Sequence, residues 1–466
     1  MRGLFDLRVR IQKAEIRHFK NVSNGTIRFP CNFASDIFSL KADVLGIYGQ
    51  NGSGKTTFIY VLEVLKSLLS GEALPKYWED CITKGHDEAE LDFDFSVEDD
   101  LGHRFRVKYS AQLGTAYLNE SVKASISQGE NQTRLNAILS TNSEDQDMIV
   151  LPDTKRREFF GSDTKILDEL RVTKMLCAKE HRSFLFSKEL IALMKKGSGD
   201  TPWFRMFGAL RRYGNLCLFV INNRSAGVIA LDAGLPFNFR TDTALGHFML
   251  QLDEPIVLPA AFFKTISQVI DTINTVLREI IPGMEITLKS LGNKMTETGD
   301  LGVRVQLVRI AKLSETGAEI QLPLKYESEG IKKIISILHL FISAYNNPEI
   351  TLAIDKLDAG IYEYLLGELL QIMQRSGQGQ LIFTSHNLRP LEMLNSNSIV
   401  FTTTNPENRY VRAANIKPTN NLRLRYFRDI TLGSDGEELY RETNSIEIAH
   451  AMRKVGVLVR DAAEEA

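Results

Sequence analysis

Apolar and polar side chains alternate in the early part of the chain. Val9, Ile11, Ala14 and Ile16 stand among arginines and lysines, and Thr26-Ile27-Arg28-Phe29 repeats the pattern, so two strands are expected within residues 9–30. Residues 91–97 and 103–109 alternate as cleanly. Asp99-Asp100-Leu101-Gly102 between them has turn chemistry, which predicts a hairpin. Residues 43–48 form a short apolar run with the look of a strand. The period then changes: Phe58, Val61, Leu62, Val64, Leu65, Leu68 and Leu69 make one broad apolar face of a helix from Thr57 to about Leu69. Residues 120–150 are rich in Ser, Asn, Gln and Glu and read as a surface loop or mobile insertion. Interrupted helical spacing follows at 164–196 and again at 203–212. Residues 217–221 and 228–231 are strand candidates. The best helix of the second half covers 258–281, with Phe262, Ile266, Val269, Ile270, Ile273, Val276, Leu277 and Ile280 in register and Pro282-Gly283 ending it. Strands are expected at 285–288 and 303–310. No sustained heptad run appears, so no long coiled coil is expected.

Composition narrows the classes. A chain of 466 residues has room for two or three domains, or for one large domain with an insertion. With 56 basic and 58 acidic residues the net charge is −2, which gives no global field toward nucleic acid or anionic membrane and leaves only local patches. Cys31, Cys81, Cys177 and Cys217 are far apart and form no C-x-x-C pair. That argues against a zinc knuckle or a disulfide framework and fits a reducing cytoplasm. No apolar stretch approaches the roughly 18 residues of a membrane span. The first eight residues lack the apolar core of a secretory signal.

The chemistry starts at Gly49-Gln50-Asn51-Gly52-Ser53-Gly54-Lys55-Thr56, a G-x-x-x-x-G-K-T phosphate-binding loop between the strand at 43–48 and the helix beginning at Thr57. Gly52 and Gly54 let the backbone curl so that its N–H groups face an anion. Lys55 brings a point charge to the β- and γ-phosphates, Thr56 offers a hydroxyl to Mg²⁺, and the helix aims its positive end at the phosphates. A strand pair ahead of such a loop points to an ABC-type ATPase head with an antiparallel lobe.

Four later elements stand in the order that such a head requires. Tyr326-Glu327-Ser328-Glu329-Gly330-Ile331-Lys332-Lys333 opens a helix, and its Ser-x-Gly resembles the core of the signature motif. Ser328 and Gly330 can offer a hydroxyl and an N–H to a γ-phosphate, although a simple N-cap explains the pattern equally well. Ile350-Thr351-Leu352-Ala353-Ile354-Asp355 is a Walker B strand whose Asp355 would hold Mg²⁺ opposite Thr56. Leu357-Asp358-Ala359-Gly360 resembles a D-loop. The strand starting at Gln380 ends in His386, which resembles a switch histidine at the γ-phosphate. One position departs from the pattern: Lys356 stands where a Glu is expected to polarise water. A lysine is a cation at neutral pH and a poor base. Three readings stay open: slow hydrolysis, a chain altered to trap the ATP state, or replacement of the base by His386 or Glu327.

With Phe19-Lys20-Asn21, Phe383-Thr384-Ser385-His386-Asn387, Phe401-Thr402-Thr403-Thr404-Asn405-Pro406 and Asn420-Asn421-Leu422-Arg423 added, the chain resembles the ABC-type, OLD-related ATPases of bacterial phage defence. Within them it is most similar to the ATPase subunit of the two-gene PARIS system. The resemblance implies an α/β P-loop NTPase of the ABC-ATPase head type, with a mixed sheet, an antiparallel lobe and a compact α/β insertion. Residues 1–118 would hold the first half of the head with the phosphate loop. The insertion, largely helical with some strands, would span 119–283, the second half of the head 284–415, and a helical segment 416–466. ATP, Mg²⁺, a homodimer of heads or a higher homo-oligomer, a separate TOPRIM-type nuclease effector and a phage trigger protein are the implied partners, and no membrane is. Residues 387–466 carry no Asp-x-Asp pair after a Glu-bearing strand, so no nuclease site is expected in this chain. The rival reading is a RecF-like DNA-repair ATPase with DNA on a basic surface drawn from Lys195, Lys196, Arg205, Arg211, Arg212, Arg423, Arg425 and Arg428.

Overall fold

A computed structural model describes residues 8–33, 38–128, 131–142, 149–150, 158–161, 165–222, 234–240, 245–252, 254–295, 301–312, 319–412, 422–424, 426, 428, 437–440 and 444–464. Strands β1 (Arg8–Phe19) and β2 (Val22–Arg28) pair antiparallel and bury Val9, Ile11, Ala14, Ile16 and Ile27. β3 (Asp43–Tyr48) is buried at all six positions and runs into the phosphate loop. Helix α1 (Lys55–Ser70) leaves that loop and stops at Gly71, whose φ of 68° lets its N–H and that of Glu72 close back on Leu68 and Ser67. The hairpin is β4 (Glu88–Glu98) and β5 (Arg104–Gly114), and Asp99 Oδ1 accepts the N–H groups of Leu101 and His103 in its turn.

The loop expected over residues 120–150 is corrected. The sheet continues there through β6 (Leu118–Gln128), β7 (Asn131–Gln132), β8 (Asn136–Thr141) and β9 (Ile149–Val150), in the order β2-β1-β4-β5-β6-β8-β9 with β7 beside β6. On β6 the inward positions are Leu118, Glu120, Val122 and Ala124. Glu120 occupies an apolar place in the alternation. It survives burial because Tyr109 and Ser183 donate their hydroxyls to it and Phe184 donates its N–H. A buried, fully bonded carboxylate disguised the two-residue period.

The interrupted helical stretch is α2 (Lys165–Lys179) and α3 (Lys188–Ser198), the second capped by Ser187, whose Oγ accepts the Leu190 N–H. α4 (Pro202–Arg212) follows, then a π turn and β10 (Leu218–Ile221). Next come β11 (Gly234–Arg240), β12 (Leu245–Gln251), β13 (Ile256–Pro259), α5 (Ala260–Ile280), β14 (Ile286–Met295), β15 (Leu301–Lys312) and β16 (Glu319–Pro323). Residues 228–231, expected as a strand, lie outside the described residues.

The last third supplies α6 (Glu329–Asn346), β17 (Thr351–Ile354), α7 (Glu363–Ser376), β18 (Gln380–Thr384), α8 (Pro390–Met393), β19 (Ile399–Thr402), β20 (Tyr410–Val411) and α9 (Ser445–Glu464). A second sheet runs β10-β17-β18-β3-β19-β20, and its first five strands are parallel. β18 lies between β3 and β17, so the ends of all three converge, and ligands favour that edge of a parallel sheet. Gln380 ties the sheets together: it exchanges hydrogen bonds with the Ile11 backbone and donates to Asp43 Oδ2 at 2.7 Å. All four cysteines are free. Among the described residues no helix is long and apolar enough to cross a membrane.

Candidate functional site

The phosphate loop is shaped by contacts from distant strands. Gly49 has φ 149°, and a Cβ there would lie 1.9 Å from Thr402 Oγ1, so only glycine fits. Gly52 and Gly54 also take positive φ, at 78° and 100°. Ser53 Oγ donates to Gln50 O at 2.6 Å and touches the Thr402 hydroxyl, and Tyr410 OH donates to Gly54 O at 2.8 Å. Lys55 folds back, donating to Gly49 O (2.7 Å) and Gln50 O (2.8 Å). Burial lowers its pKa to about 8, although Asp355 and Asp358 pull it up.

Asp355 ends β17 and is 1% exposed. Thr56 Oγ1 lies 3.1 Å from each of its carboxylate oxygens, and Thr384 Oγ1 donates to Oδ1 at 2.5 Å. Hydroxyl and carboxylate are hard oxygen donors facing one another, which fits Mg²⁺. The described residues hold no group of three or more His, Cys, Asp or Glu able to bind a metal. A cation held by Thr56 and Asp355 therefore needs water and ligand oxygens to complete its shell, the usual habit of Mg²⁺ beside phosphates.

Lys55, Thr56 and Thr384 line a cavity of about 360 Å³, while Asp355, Asp358, Gly49, Gln50 and Ser53 are not part of its lining. Of the expected residues it brings together Asn51, Gly52, Gly54, Lys55, Thr56, Thr57, Lys356 and His386. Lys356 is exposed and takes left-handed backbone, φ 49°, rare for a residue with a Cβ. Its N–H donates to Thr384 Oγ1 at 2.7 Å and its carbonyl accepts Lys333 Nζ at 2.6 Å. His386 is exposed at the rim. Partial burial first, and then Lys55, lower its pKa, against the pull of Asp358. Asp358 acts inside its own chain: Oδ2 accepts the N–H groups of His386 and Asn387 at 2.9 and 3.0 Å, while Oδ1 has no partner among the described residues.

Ser328 and Gly330 do not line this cavity. Ser328 is exposed and caps α6, accepting the Ile331 N–H at 3.4 Å. Gly330 packs on the D-loop so closely that a Cβ would lie 2.2 Å from Gly360 O. Glu327, a candidate replacement base, is ion-paired with Arg309 at 3.0 Å and is also absent from the lining. Several of the basic residues considered for DNA are engaged within the chain: Arg205 with Asp100 and Asp200, Lys196 with Glu169, Arg423 with Glu392.

Four lining residues escaped the motif reading: Lys20, Asn21, Tyr60 and Thr384. Asn21 Nδ2 donates to Gly52 O, and its Oδ1 accepts the Thr57 hydroxyl at 2.7 Å. The Lys20 ammonium sits 3.8 Å from the Tyr60 ring centroid. The signal for the first two was Phe19-Lys20-Asn21, in the turn between β1 and β2, where Lys20 has φ 54°. Tyr60 was counted only as a helix residue.

A G-x-x-x-x-G-K-T loop after β3, a carboxylate just past β17, an intervening β18 and a packed antiparallel sheet together make the head fold of an ABC-type ATPase: α/β, with a mixed sheet, an antiparallel lobe and no long coiled coil among the described residues. The Smc head domain with a coiled coil and joint from Pyrococcus yayanosii is similar at 12% identity and a TM-score of 0.42, over 91% of this chain and 100% of that one. The Smc head of Pyrococcus furiosus bound to the C-terminal domain of ScpA gives 13% and 0.39, over 87% and 96%. The recombination mediator RecF with ATP gives 12% and 0.31, over 81% and 94%. No protein-family model and no curated protein sequence matches the chain.

Proposed function

We propose that this protein binds ATP with Mg²⁺ in the phosphate loop and closes with a second copy around it. The observation that carries the reading is Thr56 facing Asp355 beside the Lys55 ammonium. Thr56 and Asp355 would hold Mg²⁺, which would supply positive charge to offset the phosphates. Lys55 would meet the outer phosphates, exchanging two carbonyl partners for stronger charged ones. Gln50, Asn51 and Ser53 would supply backbone N–H groups. Ser328, exposed, and Gly330, half-buried against Gly360, lie away from their own cavity and would reach the nucleotide of the partner, while His386 would sense the terminal phosphate in its own cavity.

Lys356 makes turnover slow in this reading. Orienting and deprotonating the attacking water needs an acceptor, and the cavity wall presents an ammonium where one is needed. A lasting ATP state suits a scaffold. The sequence resemblance to OLD-related defence ATPases supports a sensor that holds a separate nuclease effector and releases it when a phage protein is sensed. The test has two parts. Calorimetry should find ATP binding that Lys55→Ala weakens by roughly tenfold or more, and unchanged affinity would refute the loop assignment. Purification from a native host should recover a nuclease subunit with the chain; recovery of DNA in its place, lost with rising salt, would favour the RecF-like reading.

A further inference from the structure

Among the described residues two arginines lie buried, Arg10 and Arg409, and they differ in their company. Arg10, 4% exposed, feels the carboxylate of Asp43. Arg409, 6% exposed, stands beside β20 directly behind the phosphate loop. Its Nη1 donates to Thr403 O at 2.7 Å and its Nη2 to Asn21 O at 2.6 Å, while Nε has no partner among the described residues. Burial lowers its pKa and Tyr410 opposes that, while among the described residues no carboxylate acts on it. A guanidinium keeps its charge regardless, and a buried charge without a counter-ion is costly. The side chain also touches the loop: a Cβ built on Gly54 would lie 3.2 Å from its Cγ and Cδ. Its reach extends one step further, because the Asn21 it holds grips Gly52 O and the Thr57 hydroxyl, both at the cavity wall.

We infer that Arg409 is a positioning residue whose charge answers the polyphosphate of the bound nucleotide across the loop, and that through it residues 403–411 respond to the number of phosphates in the loop. The inference rests on the nucleotide reading above. Arg409 holds Asn21 and so the loop, and its charge favours an anion on the loop's far side. The same segment is tied to the later chain, since Thr404 donates its hydroxyl to Glu438 and Asn408 its amide to Glu437. Phosphate charge is thereby coupled to the C-terminal region.

The experiment is calorimetry of the full chain with Mg²⁺ and ATP, ADP or AMP, for the unaltered protein, Arg409→Met and Arg409→Lys. Arg409→Met should lose about tenfold in ATP affinity, less for ADP and nothing for AMP, and Arg409→Lys should recover most of the loss. Equal losses for all three nucleotides without rescue by lysine would mean a merely structural role and overturn the inference. If Arg409→Met does not fold, amide exchange of the unaltered chain decides: ATP should slow exchange across 403–411 more than ADP does, with AMP inert, and identical exchange would overturn it. ATP binding by the unaltered chain with no change in Arg409→Met defeats this inference alone. No ATP binding at all defeats the nucleotide reading and this inference with it.

Discussion

The phosphate loop and the signature turn are built from similar small residues, yet one is finished and the other is not. Around Gly49–Thr56 every strut is present within one chain: Thr402 against Gly49, Tyr410 on Gly54, Asn21 on Gly52, Asp355 opposite Thr56. At Ser328–Gly330 the hydroxyl merely caps its own helix through a long 3.4 Å bond, and the turn is exposed. The loop is preorganised for a ligand. The signature is preorganised only in shape, by Gly330 packed on Gly360. In the proposed reading, that difference is made good by a second copy of the chain.

The largest effect should come from breaking the finished side. Gly49→Ala places a methyl within 1.9 Å of Thr402 Oγ1 on strained backbone, so the loop must deform. ATP binding in calorimetry should fall below detection while circular dichroism still reports a folded chain. Retained affinity would mean that the loop tolerates far more than its contacts imply.

Next is the wall between the two sides. Lys356→Glu should raise ATP turnover by roughly tenfold or more with little change in affinity, as expected when a water-orienting acceptor is supplied. Equal rates, measured by phosphate release, would show that residue 356 is not where the water sits. Its left-handed backbone serves either side chain equally, since both carry a Cβ.

A smaller effect concerns pH. Burial sets Lys55 at about 8 in the nucleotide-free chain. Phosphate beside Nζ raises that value, so above pH 8 binding must take up a proton. Affinity should therefore be flat below about pH 7 and fall above pH 8 by at most tenfold per unit. Calorimetry at pH 9 in buffers of different ionisation enthalpy should register the uptake, and equal affinity at pH 7 and 9 would show that Lys55 keeps its proton in the free chain across that range.

The finished side was largely legible because its chemistry is contiguous: eight residues between an apolar strand and an apolar helix. Asp355 was legible because an apolar strand ended in a carboxylate. The struts were not. Arg409 meets Asn21 across 388 positions, and Gly49 needs its glycine because of Thr402, which no local pattern records. β6 was lost because buried Glu120 interrupts its alternation. Strands as short as β17 and β10, four residues each, reveal their neighbours only in the folded sheet.

Light scattering of the full chain with and without Mg²⁺ and ATP tests the account most directly. The signature turn should gain its phosphate from a second copy, so ATP should double the molar mass of the species that lacks it, or assemble larger closed multiples. Ser328→Ala should bind ATP with the affinity of the unaltered chain and fail to associate. An ATP-bound protein that remains strictly monomeric, with Ser328→Ala indistinguishable from it, would contradict the claim that a second copy completes the site.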